Sequence, residues 1–392
     1  MTEQLRTLYN TLTTDRDDIE RWTDSYFTNT KVMVENDGDV IVEYAVFQRT
    51  PVMFAPEMAV GWLKEVARKG GFDVEFESNF KPGDIVPAGE AALYFRGPLS
   101  KLAECETFFN QKLGATQVAA LDAYKCAIAL PDVAFIAMGA RHCAGTEMQE
   151  MMDYAAAVGG NAAKAQGAKG FVNGASHATS HFFGQPKGTG TMNHATIGYY
   201  DSTLKAAQAY RRDHAEKAFI VLNDYFGQEI TDAIEVCKAF PAEAASGELG
   251  FRLDTNGARY LEGLDNDKSH DVIRKFAPHM MTEHWNDKQL KTLYGEGVSI
   301  AAIFAFREAL DQAGFPNVKI FGSSGFNPEK CDMMAKAKAP LDGVGTGSYI
   351  PKDFHATYAT ADIISYDSDY RIKVGREYLI KERLAKGNLP KI

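Results

Sequence analysis

From about residue 115 to 350 the chain repeats one pattern: a short apolar run, a small-residue turn, then a stretch with helical spacing. The apolar runs at 133–138, 170–174, 218–222, 250–253, 318–321 and 342–344 each read as a strand. Regular strand–helix alternation predicts a parallel sheet with helices outside it, either an open doubly wound sheet or a barrel. In both, ligands bind at the carboxyl ends of the strands. The first ~110 residues follow a different, α+β pattern. There 40–47 reads as a strand with imperfect alternation, and 58–69 has helical spacing that stops at Gly70-Gly71. Turns at Lys81-Pro82-Gly83-Asp84 and Pro87-Ala88-Gly89-Glu90 precede a strand at 91–95. The polar, mixed C-terminal residues are predicted to pack back on the first domain. The expected domains are therefore 1–114, 115–352 and 353–392.

Composition narrows the class without naming it. The 392 residues are 45% hydrophobic and 24% charged, a soluble balance with enough length for about two or three domains. A net charge of -10 argues against nucleic acid as the main partner, although a locally positive pocket can still take an anion. The five cysteines are odd in number and form no CxxC pair, which argues against a disulfide framework or zinc ribbon and suits a reducing compartment. No basic-then-apolar leader and no run of about 18 apolar residues is visible, so a cytoplasmic protein without membrane contact is expected.

The strand ends collect the candidate chemistry. Gly139-Ala140-Arg141-His142 follows the strand at 133–138, and Asn173-Gly174-Ala175-Ser176 follows Phe171-Val172. The 188–194 segment, Gly-Thr-Gly-Thr-Met-Asn-His, stands alone. Asn223-Asp224-Tyr225 and Asp254-Thr255-Asn256-Gly257-Ala258-Arg259 follow the next two strands. Ser323-Ser324-Gly325 and Gly343-Val344-Gly345-Thr346 flank one helix, whose start is marked by Asn327 as cap, Pro328 at the first position and Glu329 at the positive end of the dipole. Such paired turns expose N–H groups and hydroxyls, which suit a phosphate. Arginines at the same rim suit diphosphate oxygens, and carboxylates suit ribose hydroxyls, Mg²⁺ or a developing positive charge. His177 and His181 have the spacing of a metal pair on a helix but lack a third ligand, so no protein-held metal is expected.

Six motifs in order resemble the nicotinate phosphoribosyltransferases, members of the type II phosphoribosyltransferases. They are Thr23-Asp24-Ser25-Tyr26-Phe27; Pro82-Gly83-Asp84 through Arg96-Gly97-Pro98 with Glu106-Thr107; Gly139-Ala140-Arg141-His142; Gly190-Thr191-Met192-Asn193-His194-Ala195; Arg252-Leu253-Asp254-Thr255; and the two C-terminal turns. The resemblance implies an irregular α/β barrel of parallel strands and an N-terminal α/β sandwich completed by the C-terminal segment. It also implies a homodimer with shared active sites. The implied reaction joins nicotinate to 5-phosphoribosyl 1-diphosphate, coupled to ATP hydrolysis and assisted by Mg²⁺.

Carried over by position, Tyr26 would stack on the pyridine ring, and Arg141 with His142 would hold the diphosphate and carboxylate end. Thr191, Asp224 and Arg259 would line the substrates, and Asp254 would bind the ribose or stabilise its cation. Ser323, Ser324, Gly325, Gly345 and Thr346 would cradle the 5-phosphate, and His194 would accept a phosphoryl group from ATP. Three departures stand out: Asn223-Asp224-Tyr225 in place of the family's Asp-Thr-Tyr, His142 in place of a second arginine, and no C-terminal cysteine-rich module. The first departure leaves two alternatives, a nicotinamide-using enzyme and a catalytically silent nucleotide-binding relative.

Overall fold

A computed structural model describes residues 18–387 and 389–391. The chain divides into two compact units, one running to Val118 and resuming at Pro351, the other Ala119–Ile350.

The first unit is built on an antiparallel sheet. Its strands are β1 (Ile41–Gln48), β3 (Glu75–Glu77), β5 (Ala91–Pro98), β12 (Ala359–Tyr366) and β13 (Asp369–Tyr370), in the order β13-β12-β1-β5-β3. The two-residue strands β2 (Val52–Met53) and β4 (Ile85–Val86) pair separately. Strand β1 sits between β5 and β12, and both of its faces are covered. Val42, Tyr44 and Val46 enter a core with Leu63 of helix Glu57–Gly70 and with Phe109 and Leu113 of helix Glu106–Ala129. Ala45 and Phe47 point the other way, to Leu379 of helix Glu377–Lys386. Two-sided burial is the reason the alternation of this run is imperfect: a strand with no solvent face has no position reserved for polar residues.

The second unit carries six parallel strands: β6 (Ala134–Ala137), β7 (Phe171–Gly174), β8 (Phe219–Leu222), β9 (Leu249–Leu253), β10 (Lys319–Gly322) and β11 (Gly343–Thr346). Their order is β7-β6-β11-β10-β9-β8. Taken as a ring this order is sequential, with the last strand paired back to the first. That pairing of β11 with β6 decides for a barrel over a doubly wound sheet. Among the described residues no ladder joins β7 to β8, so the ring of hydrogen bonds is interrupted there. The 188–194 segment lies in that interval of the chain. Among the described residues no helix is long and apolar enough to cross a membrane.

Candidate active site

The carboxyl ends of β8, β9 and β10 bring three groups of polar side chains together. Arg252, near the end of β9, is the hub. Its Nη1 donates to Asp254 Oδ2 at 3.4 Å and Ser323 Oγ at 3.2 Å, and its Nη2 to the Met192 carbonyl at 3.0 Å. Ser323 Oγ donates to Asp254 Oδ1 at 2.8 Å, so arginine and serine fix both oxygens of that carboxylate. Burial pushes the Arg252 guanidinium below its usual range, opposed by the charges of Asp254 and Asp224. Arg252 Nε is buried without a partner among the described residues.

His194 opens the short helix His194–Tyr200, which Asn193 caps through Thr196 N–H. The imidazole is half-exposed, and its Nε2 lies 3.2 Å from each oxygen of the buried Asp224 carboxylate. Burial raises Asp224 above the usual carboxylate range and the Asp254 charge adds to this, while the His194 contact pulls in the opposite direction. The sequence departure at β8 thus has a structural meaning. Asn223 is fully buried and donates its amide to the Glu229 carbonyl at 2.8 Å, while the carboxylate next to it, Asp224, faces the histidine.

Behind this pair, Glu229 is fully buried and accepts from Thr255 Oγ1 at 2.8 Å, Arg259 Nη2 at 2.6 Å and Glu262 N–H at 3.2 Å. Arg259 Nη2 also donates to the Asp224 carbonyl at 2.9 Å. Arg259 therefore braces the backbone that carries Asp224.

The 343–346 segment, read from the sequence as a turn, is strand β11 itself, because pairing with β6 and β10 buries all four residues. Its end is tied to the 323–325 turn. Thr346 is buried, and its Oγ1 donates to the Phe326 carbonyl at 2.8 Å and accepts from Ser348 N–H at 2.9 Å. Its hydroxyl is committed inside the fold. Gly345 lies against Met138, where a Cβ would stand 2.5 Å from Sδ. Ser324 and Gly325 follow with φ of 75° and 71°, and the first of these is strained for a residue with a side chain.

The other candidates sit further out. Arg141 and His142 form an exposed single turn after β6, with Arg141 Nε 3.4 Å from His142 Nε2. Thr191 Oγ1 donates to the Met192 carbonyl at 3.3 Å. His177 accepts from Gly188 N–H at 3.0 Å, and His181 Nδ1 lies 2.9 Å from the Ala178 carbonyl. In the first unit, Tyr26 is exposed and bonds Asp24 at 3.2 Å. It lines a groove of about 730 Å³ with Tyr44, Glu106, Arg371 and Lys373. Among the described residues no three His, Cys, Asp or Glu side chains gather as a metal cage.

The sequence named Arg252 only as part of a motif, with no role of its own, and did not single out Glu229 or Lys330. Arg252 had a signal, an arginine inside an otherwise apolar strand. Glu229 had none, since an acidic residue in a first helical turn is read as a dipole partner. Lys330, three residues past a helix cap, resembled an ordinary surface lysine.

Known proteins resemble this chain in sequence and in fold. No family model matches the chain. A nicotinate phosphoribosyltransferase of Mycobacterium tuberculosis is 24% identical over 293 residues, 74% of this chain and 52% of that protein. The chain spans about half the length of the curated relatives it matches. Among solved structures, the nicotinate-nucleotide pyrophosphorylase of Pyrococcus furiosus superposes with a TM-score of 0.66 at 22% identity, covering 92% of this chain and 79% of that one. The chain resembles the nicotinate phosphoribosyltransferases and shares their fold. Human nicotinic acid phosphoribosyltransferase shows the same phosphoribosyltransferase fold at a TM-score of 0.57 and 15% identity, over 90% of this chain and 76% of the other.

Proposed function

We propose that this chain transfers the 5-phosphoribosyl group of 5-phosphoribosyl 1-diphosphate to nicotinate, giving nicotinate mononucleotide and diphosphate, with ATP hydrolysis coupled to the transfer. The observation that carries this reading is the Arg252–Asp254–Ser323 cluster beside the His194–Asp224 pair at one set of strand ends. Likeness in sequence to a nicotinate phosphoribosyltransferase supports it.

The reaction needs little acid–base chemistry. The C1–O bond to diphosphate breaks, the pyridine nitrogen lone pair forms the new C1–N bond, and positive charge builds on the ribose between the two events. Positioning and charge stabilisation supply the rate. Asp254, held rigid by Arg252 and Ser323, stands ready for that charge or for the ribose hydroxyls. Arg141 and His142, exposed after β6, would meet the diphosphate oxygens. Mg²⁺ would enter with the diphosphate, a mode that asks for only one or two protein carboxylates, and Asp254 and Asp224 fit that demand. It would supply charge neutralisation on the leaving group. Tyr26 would stack on the pyridine ring, and the 323–325 turn with the backbone at the end of β11 would hold the 5-phosphate, the Thr346 hydroxyl being spent inside the fold.

For the ATP step, Asp224 accepts from His194 Nε2–H, which leaves the Nδ1 lone pair as the acceptor. The γ-phosphoryl group passes to Nδ1 with loss of ADP, and water later cleaves the P–N bond to give phosphate. A homodimer belongs to the same reading, since Trp22, Tyr26, Val32 and Met33 of the first unit are exposed.

The test is turnover with nicotinate and nicotinamide separately, each with and without ATP. Nicotinate mononucleotide formed fastest from nicotinate plus ATP is the expected result. Preference for nicotinamide overturns the substrate assignment, and no diphosphate release from any mixture leaves a silent relative.

A further inference from the structure

The helix that follows the Ser323-Ser324-Gly325 turn, Pro328–Ala337, offers an anion little from its own backbone. Pro328 has no N–H. The Lys330 N–H is taken by Asn327 Oδ1 at 2.9 Å, and the Cys331 N–H by the Asn327 carbonyl at 3.0 Å. An uncapped helix start would present these donors to a phosphate. At this corner the charge comes from a side chain. Lys330 curls back over its own helix start, with Nζ 2.9 Å from the Ser324 carbonyl oxygen and 4.3 Å from the centre of the Phe326 ring. That bond lands on the two successive left-handed residues, Ser324 and Gly325, and helps hold them. It uses one of the three ammonium donors.

We propose that Lys330 binds the 5-phosphate of a phosphoribosyl ligand at this turn, its amine both shaping the Ser324-Gly325 backbone and donating to a phosphate oxygen. The inference rests on the phosphoribosyltransferase reading above.

The electrostatics give it a signature. The charged and titratable groups around the amine are Asp254 at the end of β9 and Cys331 on the same helix. On the neighbouring elements, Lys288 of helix Asp287–Tyr294 is engaged with Glu329, and His279 of Pro278–Thr282 with the Lys336 carbonyl. Burial pushes the Lys330 amine down to about 8, against the opposing pull of Cys331 and Asp254. A phosphate dianion beside it favours the charged form and raises that value. The complex then binds more protons than the free protein near this pH. Affinity is full below pH 8 and falls as pH rises through it. The second ionisation of a phosphate ester, near 6, lies below this window.

Calorimetric titration of ribose 5-phosphate and of ribose at pH 7 and pH 9, on the wild type, Lys330→Met and Lys330→Arg, tests this. Lys330→Met should weaken ribose 5-phosphate by about tenfold or more at pH 7, the size of one charge-assisted contact, and leave ribose unchanged. Lys330→Arg should stay within about threefold of wild type at pH 7 and lose the decline toward pH 9, because arginine does not titrate there. The arginine variant keeps the test sound if the methionine variant folds poorly. Equal affinity of wild type and Lys330→Met, or a pH decline that persists in Lys330→Arg, overturns the role of Lys330 alone. A wild type that binds no phosphoribosyl ligand overturns the reading beneath it as well.

Discussion

At the scale of single residues, the site is a set of polar groups that hold one another. His194 is proposed to take a phosphoryl group because Asp224 holds one ring nitrogen of a half-exposed imidazole and leaves the other as the acceptor. His194→Ala should abolish the coupling while some transferase activity remains, read as ADP released per nicotinate mononucleotide formed. An unchanged ratio removes His194 from the mechanism. Glu229 is the structural counterpart. Its buried carboxylate satisfies Thr255, Arg259 and a backbone N–H at once. Glu229→Ala strands those donors and should cost about 2–4 kcal/mol, less than a fully buried pair because Arg259 is partly exposed. A urea midpoint that does not move would contradict this.

At the scale of elements, the barrel depends on close approach between helices as well as on its strands. Helix Thr146–Lys164 crosses helix Glu106–Ala129 at Gly159. A Cβ there would overlap the Ala120 carbonyl oxygen and stand 2.7 Å from Tyr124 N. Those atoms are backbone and cannot swing aside, so Gly159→Ala should destabilise the protein by about 1–3 kcal/mol or more, lowering the thermal midpoint. The strands themselves were legible in the sequence, since a buried parallel strand writes itself as a short apolar run between turns. The start of helix Pro328–Ala337 was legible too, with Asn327 capping it as the residue types require. The interruption between β7 and β8 was not, because a missing ladder leaves no mark on either strand.

For the molecule as a whole, acidity should tune stability through the first unit. Burial raises Glu106 to about 8, and Asp362 and Asp24 add to the rise, while Lys373 opposes it. Its ordinary value is near 4.5, so between these limits the folded state holds a proton that the unfolded chain has lost. Stability from this group is complete below about pH 4.5 and declines as pH rises to about 8, by at most about 1.4 kcal/mol per pH unit. Glu106→Gln should flatten the fall of thermal midpoint between pH 5.5 and 8, and an identical profile would exclude Glu106 as its source. By itself the sequence determined the order of strands, turns and helices, the residue types at each strand end, and the resemblance those motifs carry. These follow from local rules: side-chain period, turn chemistry and capping act over a few neighbouring residues. Only the tertiary structure decided that β11 returns to β6 and that Asp224 rather than Asn223 meets His194. It alone spent the Thr346 hydroxyl inside the fold, set Arg252 against Ser323 across 71 residues of chain, and turned Lys330 from surface to turn. Each of these is a contact between segments distant in the chain or a choice of side-chain direction, and neither is encoded in the period of a local pattern.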